Sequence, residues 1–152
     1  MPDMLAKFAA AKAAEVADLR AREKAGTLPP VWAGERPSFT TAITGRAPLA
    51  VIAEYKRASP SKGVICLELS AADVAAQFAA AGAAAVSVLT EEQHFQGSLD
   101  YLAQARSAAP GVPLLRKDFL LDPLQVRATA STPAAALLLI ARMVDEDQIG
   151  RA

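Results

Sequence analysis

Short apolar segments alternate with amphipathic segments along most of this chain. The apolar segments span residues 49–55, 84–89, 112–116 and 135–140. Each is nearly all apolar, which is typical of strands in a parallel sheet that is covered on both faces. The alternation of such strands with helices predicts a parallel α/β sheet with right-handed crossovers.

The segments that follow these strands carry the signals of helix ends. Ser70 and Asp73 match a capping box, and Gly82 is placed to end the helix that they begin. The helices of this part of the chain are predicted over residues 71–81, 99–108, 123–131 and 145–151. Each predicted strand is therefore followed by a helix, as a sheet of crossover units requires.

The chain begins with a segment that does not belong to this alternation. Residues 3–25 are predicted to form one helix, with Asp3 as its N-cap and Gly26 at its end. Its loose apolar stripe consists of Leu5, Phe8, Val16 and Leu19. Such a stripe is typical of a helix that packs on another element through one face.

A linker separates this helix from the first predicted strand. Residues 26–37 are predicted to be irregular, and residues 38–44 form a short helix capped by Ser38. We therefore divide the chain into an N-terminal helical extension with its linker, residues 1–45, and a strand–helix unit, residues 46–152.

Polar residues follow the carboxyl ends of three predicted strands. They are Glu54 and Lys56, then Thr90, Glu91 and Glu92, then Lys117 and Asp118. Side chains two apart on a strand point to the same face, so Glu54 and Lys56 leave the first strand together. A (β/α)8 barrel and a doubly wound sheet both bind ligands at this edge. No Gly-x-Gly-x-x-Gly follows a predicted strand, which favours the barrel.

Composition narrows the classes of function. The chain has 152 residues, of which 53% are hydrophobic, and its 16 basic and 16 acidic residues form no basic block. We therefore expect one domain that binds neither nucleic acid nor a membrane. A single cysteine, Cys66, indicates a reducing, cytoplasmic setting, and it has no neighbouring base. His94, the one histidine, is expected to be solvated in a charged loop, so no zinc-type ligand cluster is predicted.

Three segments, in the same order, resemble the indole-3-glycerol phosphate synthase family. They are residues 52–64 (IAEYKRASPSKGV), 87–99 (SVLTEEQHFQGSL) and 115–126 (LRKDFLLDPLQV). The resemblance covers roughly residues 36–149, and the N-terminal helix fits the family's leading helical segment. It implies a TIM-type (β/α)8 barrel, of which four strands are about the first half.

The resemblance also implies an activity in tryptophan biosynthesis. The family converts 1-(2-carboxyphenylamino)-1-deoxyribulose 5-phosphate to indole-3-glycerol phosphate by ring closure, decarboxylation and dehydration. No metal or organic cofactor is implied, and the partner is a small phosphorylated substrate. Another phosphate-binding barrel lyase or isomerase is an alternative, because a fold alone does not determine a function.

By resemblance, the catalytic residues are Lys117, Lys56 and Glu54. Lys117 would be the general acid that protonates the ketose oxygen as carbon attacks it. Lys56 would bind the anionic groups of the substrate, and Glu54 would orient Lys56 and touch the anthranilate region. The alternatives without function are an ion pair between Glu54 and Lys56 and a surface position for Lys117.

Five further residues are predicted to bind the substrate: Ser59, Pro60, Phe95, Phe119 and Leu138. Ser59 and Pro60 lie in a polar loop, although serines in turns commonly cap their own backbone. Phe95 and Phe119 would form an aromatic wall. Leu138 would line the same pocket, or else belong to the core.

Four strands cannot close an eight-stranded barrel. By resemblance, the second half would supply another catalytic glutamate, an asparagine and the loops for the phosphate, which barrels commonly place after strands seven and eight. We therefore expect no appreciable activity from this chain alone. The rival interpretation is a non-catalytic half-barrel that self-associates, or complements a separate second half, through its unpaired strand edges.

Overall fold

The structure, a computed structural model, describes residues 4–150. Its helices are α1 (Met4–Ala11), α2 (Ala13–Lys24), α3 (Phe39–Thr44), α4 (Ala71–Ala80), α5 (Glu92–Phe95), α6 (Asp100–Ala108), α7 (Pro123–Ala130) and α8 (Glu146–Gly150). Its strands are β1 (Ile52–Tyr55), β2 (Ala58–Ser59), β3 (Gly63–Val64), β4 (Ala85–Leu89), β5 (Leu114–Lys117) and β6 (Ala136–Leu137). The predicted alternation of strands and helices is confirmed.

Within residues 4–150, four strands form a parallel sheet in the order β1-β4-β5-β6. Each strand lies beside the next one in the chain, and α4, α6 and α7 make the crossovers between them. This order is that of the first half of a (β/α)8 barrel. The short strands β2 and β3 form a separate antiparallel hairpin after β1.

One face of the sheet packs against α4 and α6. Val86, Val88 and Leu114 point to this face and are fully buried. The facing helix positions are largely alanine, and these small side chains let the helices approach the sheet closely. The buried residues of this core are Tyr55, Ala71, Ala75, Val86, Val88, Leu102, Ala105, Ala109, Leu114 and Ala134. The opposite face of the sheet is the one that a closed barrel would enclose.

The N-terminal helices pack beside α7. Leu19 of α2 is buried against Leu124 and Ala128 of α7, with Leu28 of the linker at the edge of the cluster. An ion pair between Arg20 and Asp122, 2.8 Å apart, adds a polar contact at the start of α7. None of the helices within residues 4–150 is long and apolar enough to cross a bilayer.

The predicted helix caps are present. Ser70 and Asp73 form the capping box of α4, and Gly82 follows that helix with a φ of +84°. The Ser38 side chain accepts a hydrogen bond from the backbone N–H of Thr41 at the start of α3. These features depend on neighbouring residues alone, which is why the local pattern predicts them.

The single helix predicted over residues 3–25 is wrong, because the chain turns at Lys12 and forms α1 and α2 instead. The backbone N–H of Lys12 donates to the carbonyl of Ala9, an i−3 bond that interrupts the α-helical pattern. Asp3, the predicted N-cap, lies outside the described residues.

The strands differ from the predicted ones mainly in their ends. The first and fourth are shorter than expected, since each pairs on one side only among the described residues. The third begins at Leu114, because Pro113 has no N–H for the ladder, and it extends one residue further than predicted, to Lys117. The hairpin and the one-turn helix α5 were not predicted, since such short elements leave no periodic pattern.

Candidate active site

The strand register brings two lysines to one level of the sheet. Tyr55 pairs with Val88, and Leu89 pairs with Lys117. Lys56 follows Tyr55 and therefore lies level with Leu89 and Lys117. Neighbouring strands are about 4.8 Å apart, which places the two lysine backbones roughly 10 Å apart with side chains on one face. That face is opposite to α4 and α6.

Glu54 and Lys56 form an ion pair at the end of β1. Lys56 Nζ is 2.9 Å from Glu54 Oε1, and each side chain is 32% exposed. Pairs this accessible to water contribute little to stability, so the pair remains free to exchange partners with a charged ligand. Ser87 is the partner of Glu54 on the neighbouring strand, and its buried Oγ has no hydrogen-bond partner among the described residues.

A cleft of about 600 Å³ opens beside Lys56. Its volume is in the range of small-molecule sites. The lining residues are Met4, Phe8, Lys56, Ser59, Pro60, Ser61, Lys62, Ile65 and Phe95. Of the residues predicted to form the site, Lys56, Ser59, Pro60 and Phe95 line the cleft, and Glu54, Lys117, Phe119 and Leu138 do not.

Three phenylalanines meet at the edge of this cleft. Phe8 of α1 stacks on Phe119 with ring centroids 4.2 Å apart and planes 16° apart. Phe95 lies 5.9 Å from Phe8 and 6.1 Å from Phe119. The two rings predicted to form an aromatic wall are therefore close together, and Phe8 from α1 contacts both.

Glu91 caps α5, the one-turn helix that carries Phe95. Its buried carboxylate accepts hydrogen bonds from the backbone N–H groups of Gln93, His94 and Phe95, at 2.7–3.2 Å. His94 Nδ1 is 3.1 Å from Glu91 Oε1, and the His94 side chain is only 14% exposed. The expectation that His94 is solvated is wrong, because this acid and the ring of Phe8 enclose it. These hydrogen bonds hold α5, and Phe95 at its end lines the cleft.

Ser59 lies in the hairpin that forms another wall of the cleft. Its Oγ accepts a hydrogen bond of 3.2 Å from the backbone N–H of Lys62 and is 3.4 Å from Ser61 Oγ. Gly63 adopts a φ of +65°, which lets the chain return along Ser59. The serine thus caps its own turn, while Pro60 is exposed at the tip.

Lys117 and Leu138 lie side by side on the barrel-facing side of the sheet. The backbone N–H of Leu138 donates to the carbonyl of Arg116 at 3.1 Å and so continues the ladder beyond β6. This bond sets Leu138 level with Lys117, and both side chains are half-buried. Leu138 is therefore an apolar neighbour of the lysine amine rather than a residue of the helix-side core.

Arg116 and Asp118 flank Lys117 but point to the other side of the sheet. Arg116 Nη2 is 2.8 Å from Asp118 Oδ2 and 3.2 Å from Glu15 Oε1. Lys12 Nζ is 2.7 Å from Asp118 Oδ1. Burial by itself would raise the pKa of the Asp118 carboxyl, but the positive charges of Arg116 and Lys12 outweigh it and lower that pKa below its ordinary value.

Comparison with known proteins agrees with this geometry. The family model described as indole-3-glycerol phosphate synthase matches residues 5–151, which is nearly the whole chain. The chain belongs to the indole-3-glycerol phosphate synthase family. Members of the family are TIM barrels, and the sheet β1-β4-β5-β6 accounts for strands one to four of such a barrel.

Curated proteins named indole-3-glycerol phosphate synthase are similar along the length of this chain. The one from Desulfotalea psychrophila is 42% identical over 98% of the chain and 58% of its own length. The one from Neisseria meningitidis serogroup B is 45% identical over 99% of the chain and 60% of its own length. The one from Albidiferax ferrireducens is 43% identical over 98% and 58%. The chain thus spans less than two thirds of these relatives.

Sequence reasoning missed two parts of this candidate site. It assigned Phe8 only to the apolar stripe of a helix, and a stripe does not show which element it packs against. It also gave no role to Arg116 and Asp118, although the alternation along Arg116-Lys117-Asp118 places the two outer charges together, opposite to the lysine. The partner of that pair, Lys12, left no signal in the sequence.

Proposed function

We propose that this chain supplies the first four strands of an indole-3-glycerol phosphate synthase, a carboxy-lyase of tryptophan biosynthesis. The substrate is 1-(2-carboxyphenylamino)-1-deoxyribulose 5-phosphate, and the product is indole-3-glycerol phosphate with carbon dioxide and water. The observation that supports this most is the common level of Lys56 and Lys117 on the barrel-facing side of the sheet. Family membership supplies the reaction.

In this reaction the ring carbon that bears the carboxylate attacks the ketose carbonyl. Lys117 donates a proton to the carbonyl oxygen as the new carbon–carbon bond forms, which prevents a full oxyanion from accumulating. Carbon dioxide then leaves, and loss of the new hydroxyl as water completes the indole ring. Lys117 lies at the carboxyl end of β5, the edge at which barrel enzymes place their chemistry.

Lys56 and Glu54 bind and orient the substrate. The Lys56 ammonium is 2.9 Å from Glu54 and also lines the cleft, so it can turn from the carboxylate toward an anionic group of the substrate. Glu54 orients Lys56 through this ion pair and faces the anthranilate part. The accessible position of the pair supports this role, because a purely structural pair gains little there.

The remaining contacts enclose the aromatic ring and the chain of the substrate. Phe95 and Phe119 hold the anthranilate ring, and their separation of 6.1 Å shows that they belong to one cluster. Ser59 and Pro60 form the wall at the hairpin, and Leu138 adds an apolar surface beside Lys117. No cofactor takes part in this proposal.

The chain acts in the cytoplasm as part of a complete barrel and binds neither nucleic acid nor a membrane. Residues 1–45 serve as the helical extension, and residues 46–152 as the half-barrel. A second candidate function is a non-catalytic half-barrel that self-associates. Its support is the outer side of β1, where Val51 and Ile52 are 53% and 45% exposed. Such an edge can pair with another strand.

The test is to join the chain to the carboxyl-terminal part of the Neisseria meningitidis relative and to measure formation of indole-3-glycerol phosphate. We expect activity in the joined protein, loss of it in Lys117→Ala, and none in the separate chain. Lys24→Ala, which changes an exposed lysine on α2, is the matched control. Activity that persists in Lys117→Ala would reject the assignment of the general acid. A separate chain that forms stable dimers without activity is the outcome expected of the second candidate.

A further inference from the structure

Four charged side chains meet where the N-terminal helices pack against the end of β5, and three of them are buried while Glu15 is 29% exposed. They are Lys12, Glu15, Arg116 and Asp118. The side chains of Lys12, Arg116 and Asp118 are 5%, 1% and 1% exposed. Removing charges from water is costly, and a buried ion cluster is seldom more stabilising than apolar side chains of the same size. The cluster is therefore a candidate for a role other than stability.

Each oxygen of the Asp118 carboxylate has its own pair of donors. Oδ2 accepts from Arg116 Nη2 at 2.8 Å and from Thr90 Oγ1 at 2.6 Å. Oδ1 accepts from Lys12 Nζ at 2.7 Å and from the backbone N–H of Phe119 at 2.8 Å. The carboxylate is thus held by donors at both of its oxygens, and through Oδ1 it also binds the backbone N–H of Phe119.

Lys12 and Phe8 contact the same turn of the chain. Phe8 lies in α1 and Lys12 in the turn that follows it, and both side chains reach the segment after β5. Phe8 stacks on the ring of Phe119, and the Lys12 ammonium binds the carboxylate of Asp118. The turn that carries Lys117 and Phe119 is therefore fixed from the N-terminal helix by one aromatic contact and one ionic contact.

We propose that Lys12 is a positioning residue, whose contact with Asp118 holds Lys117 and Phe119 in place for the reaction. The inference rests on the role proposed for Lys117. Without the ammonium, Asp118 is drawn toward Arg116 alone, and the N–H of Phe119 loses a well-placed acceptor. Displacement of a reacting group by about 1 Å can cost on the order of 100-fold in rate.

The direct test is amide hydrogen exchange, measured by NMR on the 152-residue chain. Lys12→Met removes the charge and keeps the length of the side chain. We expect protection of the Phe119 amide to fall about tenfold or more relative to that of Val88 in the centre of the sheet. Lys12→Arg is expected to restore most of it. Arg127→Met is the matched control, because it breaks an exposed ion pair to Glu23 that also joins α2 to α7.

Two results would overturn the proposal. One is a folded Lys12→Met protein in which the Phe119 amide keeps its protection. The other is an equal loss of protection at Phe119 and Val88, which indicates a structural role alone. If Lys12→Met does not fold, Lys12→Gln takes its place, because glutamine keeps a shorter donor for Asp118. The protection of the Phe119 amide relative to that of Val88 then decides in the same way.

Kinetics separate this inference from the function on which it rests. In the joined barrel, Lys12→Met is expected to lower kcat by about tenfold to 100-fold through displacement of Lys117. KM should rise to a smaller extent, because Phe119 is displaced while Lys56, Ser59 and Phe95 still contact the substrate. Arg127→Met should leave both constants unchanged. An unchanged kcat in Lys12→Met rejects the positioning role. A joined barrel without any activity rejects the proposed function, while the exchange of Phe119 still tests the contact.

Discussion

Replacement of Arg116 by methionine tests how much the buried charges stabilise the fold. The guanidinium is 1% exposed and is held from β5, α2 and α7. Methionine fills much of the same space without charge or donors, so the change in the free energy of unfolding reports mainly the buried charges and acceptors left without Arg116. The carboxylate of Asp118 then loses one of its two cationic partners.

The magnitude follows from what remains after the substitution. Breaking a buried ion pair on one side costs about 3–5 kcal/mol, because the other charge stays buried. Asp118 keeps Lys12 and the hydroxyl of Thr90, and the carbonyl of Gln125 keeps the hydroxyl of Thr129. Since these partners compensate in part, we expect Arg116→Met to lower the free energy of unfolding by about 3 kcal/mol, at the lower end of that range.

The assay is urea unfolding of the chain, followed by circular dichroism, with Arg127→Met as control. Arg127 pairs with Glu23 at the surface, with side chains 58% and 45% exposed, so its loss should cost at most about 1 kcal/mol. The m-values of the two variants should agree if both unfold the same core. If Arg116→Met lowers the free energy of unfolding no more than Arg127→Met does, the loss of Arg116 from the buried cluster has no measurable effect on stability. That result would refute the reasoning.

Three other predictions concern acid stability, the loop before α6 and the core. The pKa of Asp118 is lowered in the folded state, so its carboxylate adds to the free energy of unfolding fully above its ordinary pKa. This stabilisation is lost as the pH falls through the lower folded pKa. In acid unfolding curves, Asp118→Asn should therefore abolish this part of the decline in stability. Gly97→Ala should destabilise the loop, since a Cβ there would lie 2.6 Å from the Leu89 carbonyl oxygen; equal melting temperatures would contradict this. Leu102→Ala should lower the free energy of unfolding, measured in urea, by about 2–5 kcal/mol, because Leu102 is fully buried. A smaller decrease would show that the surrounding side chains close around the alanine.

Much of the fold could be predicted because its signals are local. Ser70, Asp73 and Gly82 mark both ends of α4 within a few residues, and the structure has the predicted caps. The apolar runs predict parallel strands because the strands of such sheets are typically covered on both faces. The common level of Lys56 and Lys117 accords with the position of each lysine at the carboxyl end of a parallel strand, since these ends lie at one edge of the sheet.

The unpredicted parts of the site depend on contacts between distant residues. Glu15 and Arg116 are 101 residues apart, and the sequence around either one does not indicate the other. The same holds for Phe8, which reaches Phe119 only because the N-terminal helices fold over the end of β5. The contact of Lys12 with Asp118 was missed for the same reason, because the two residues are far apart in the sequence.

The pleat of β5 explains why one short segment serves both structure and chemistry. Side chains alternate along a strand, so Lys117 faces the barrel side while Arg116 points to the side of the helices. Asp118, one residue beyond Lys117, joins Arg116 on that side, and the pair is buried with Lys12. A register shift of one residue would exchange these positions, placing the lysine in the ion cluster and a guanidinium in the site. The cluster therefore opposes that shift. Lys117 on the helix side would face Lys12, and Glu15 would lose its contact with the guanidinium of Arg116.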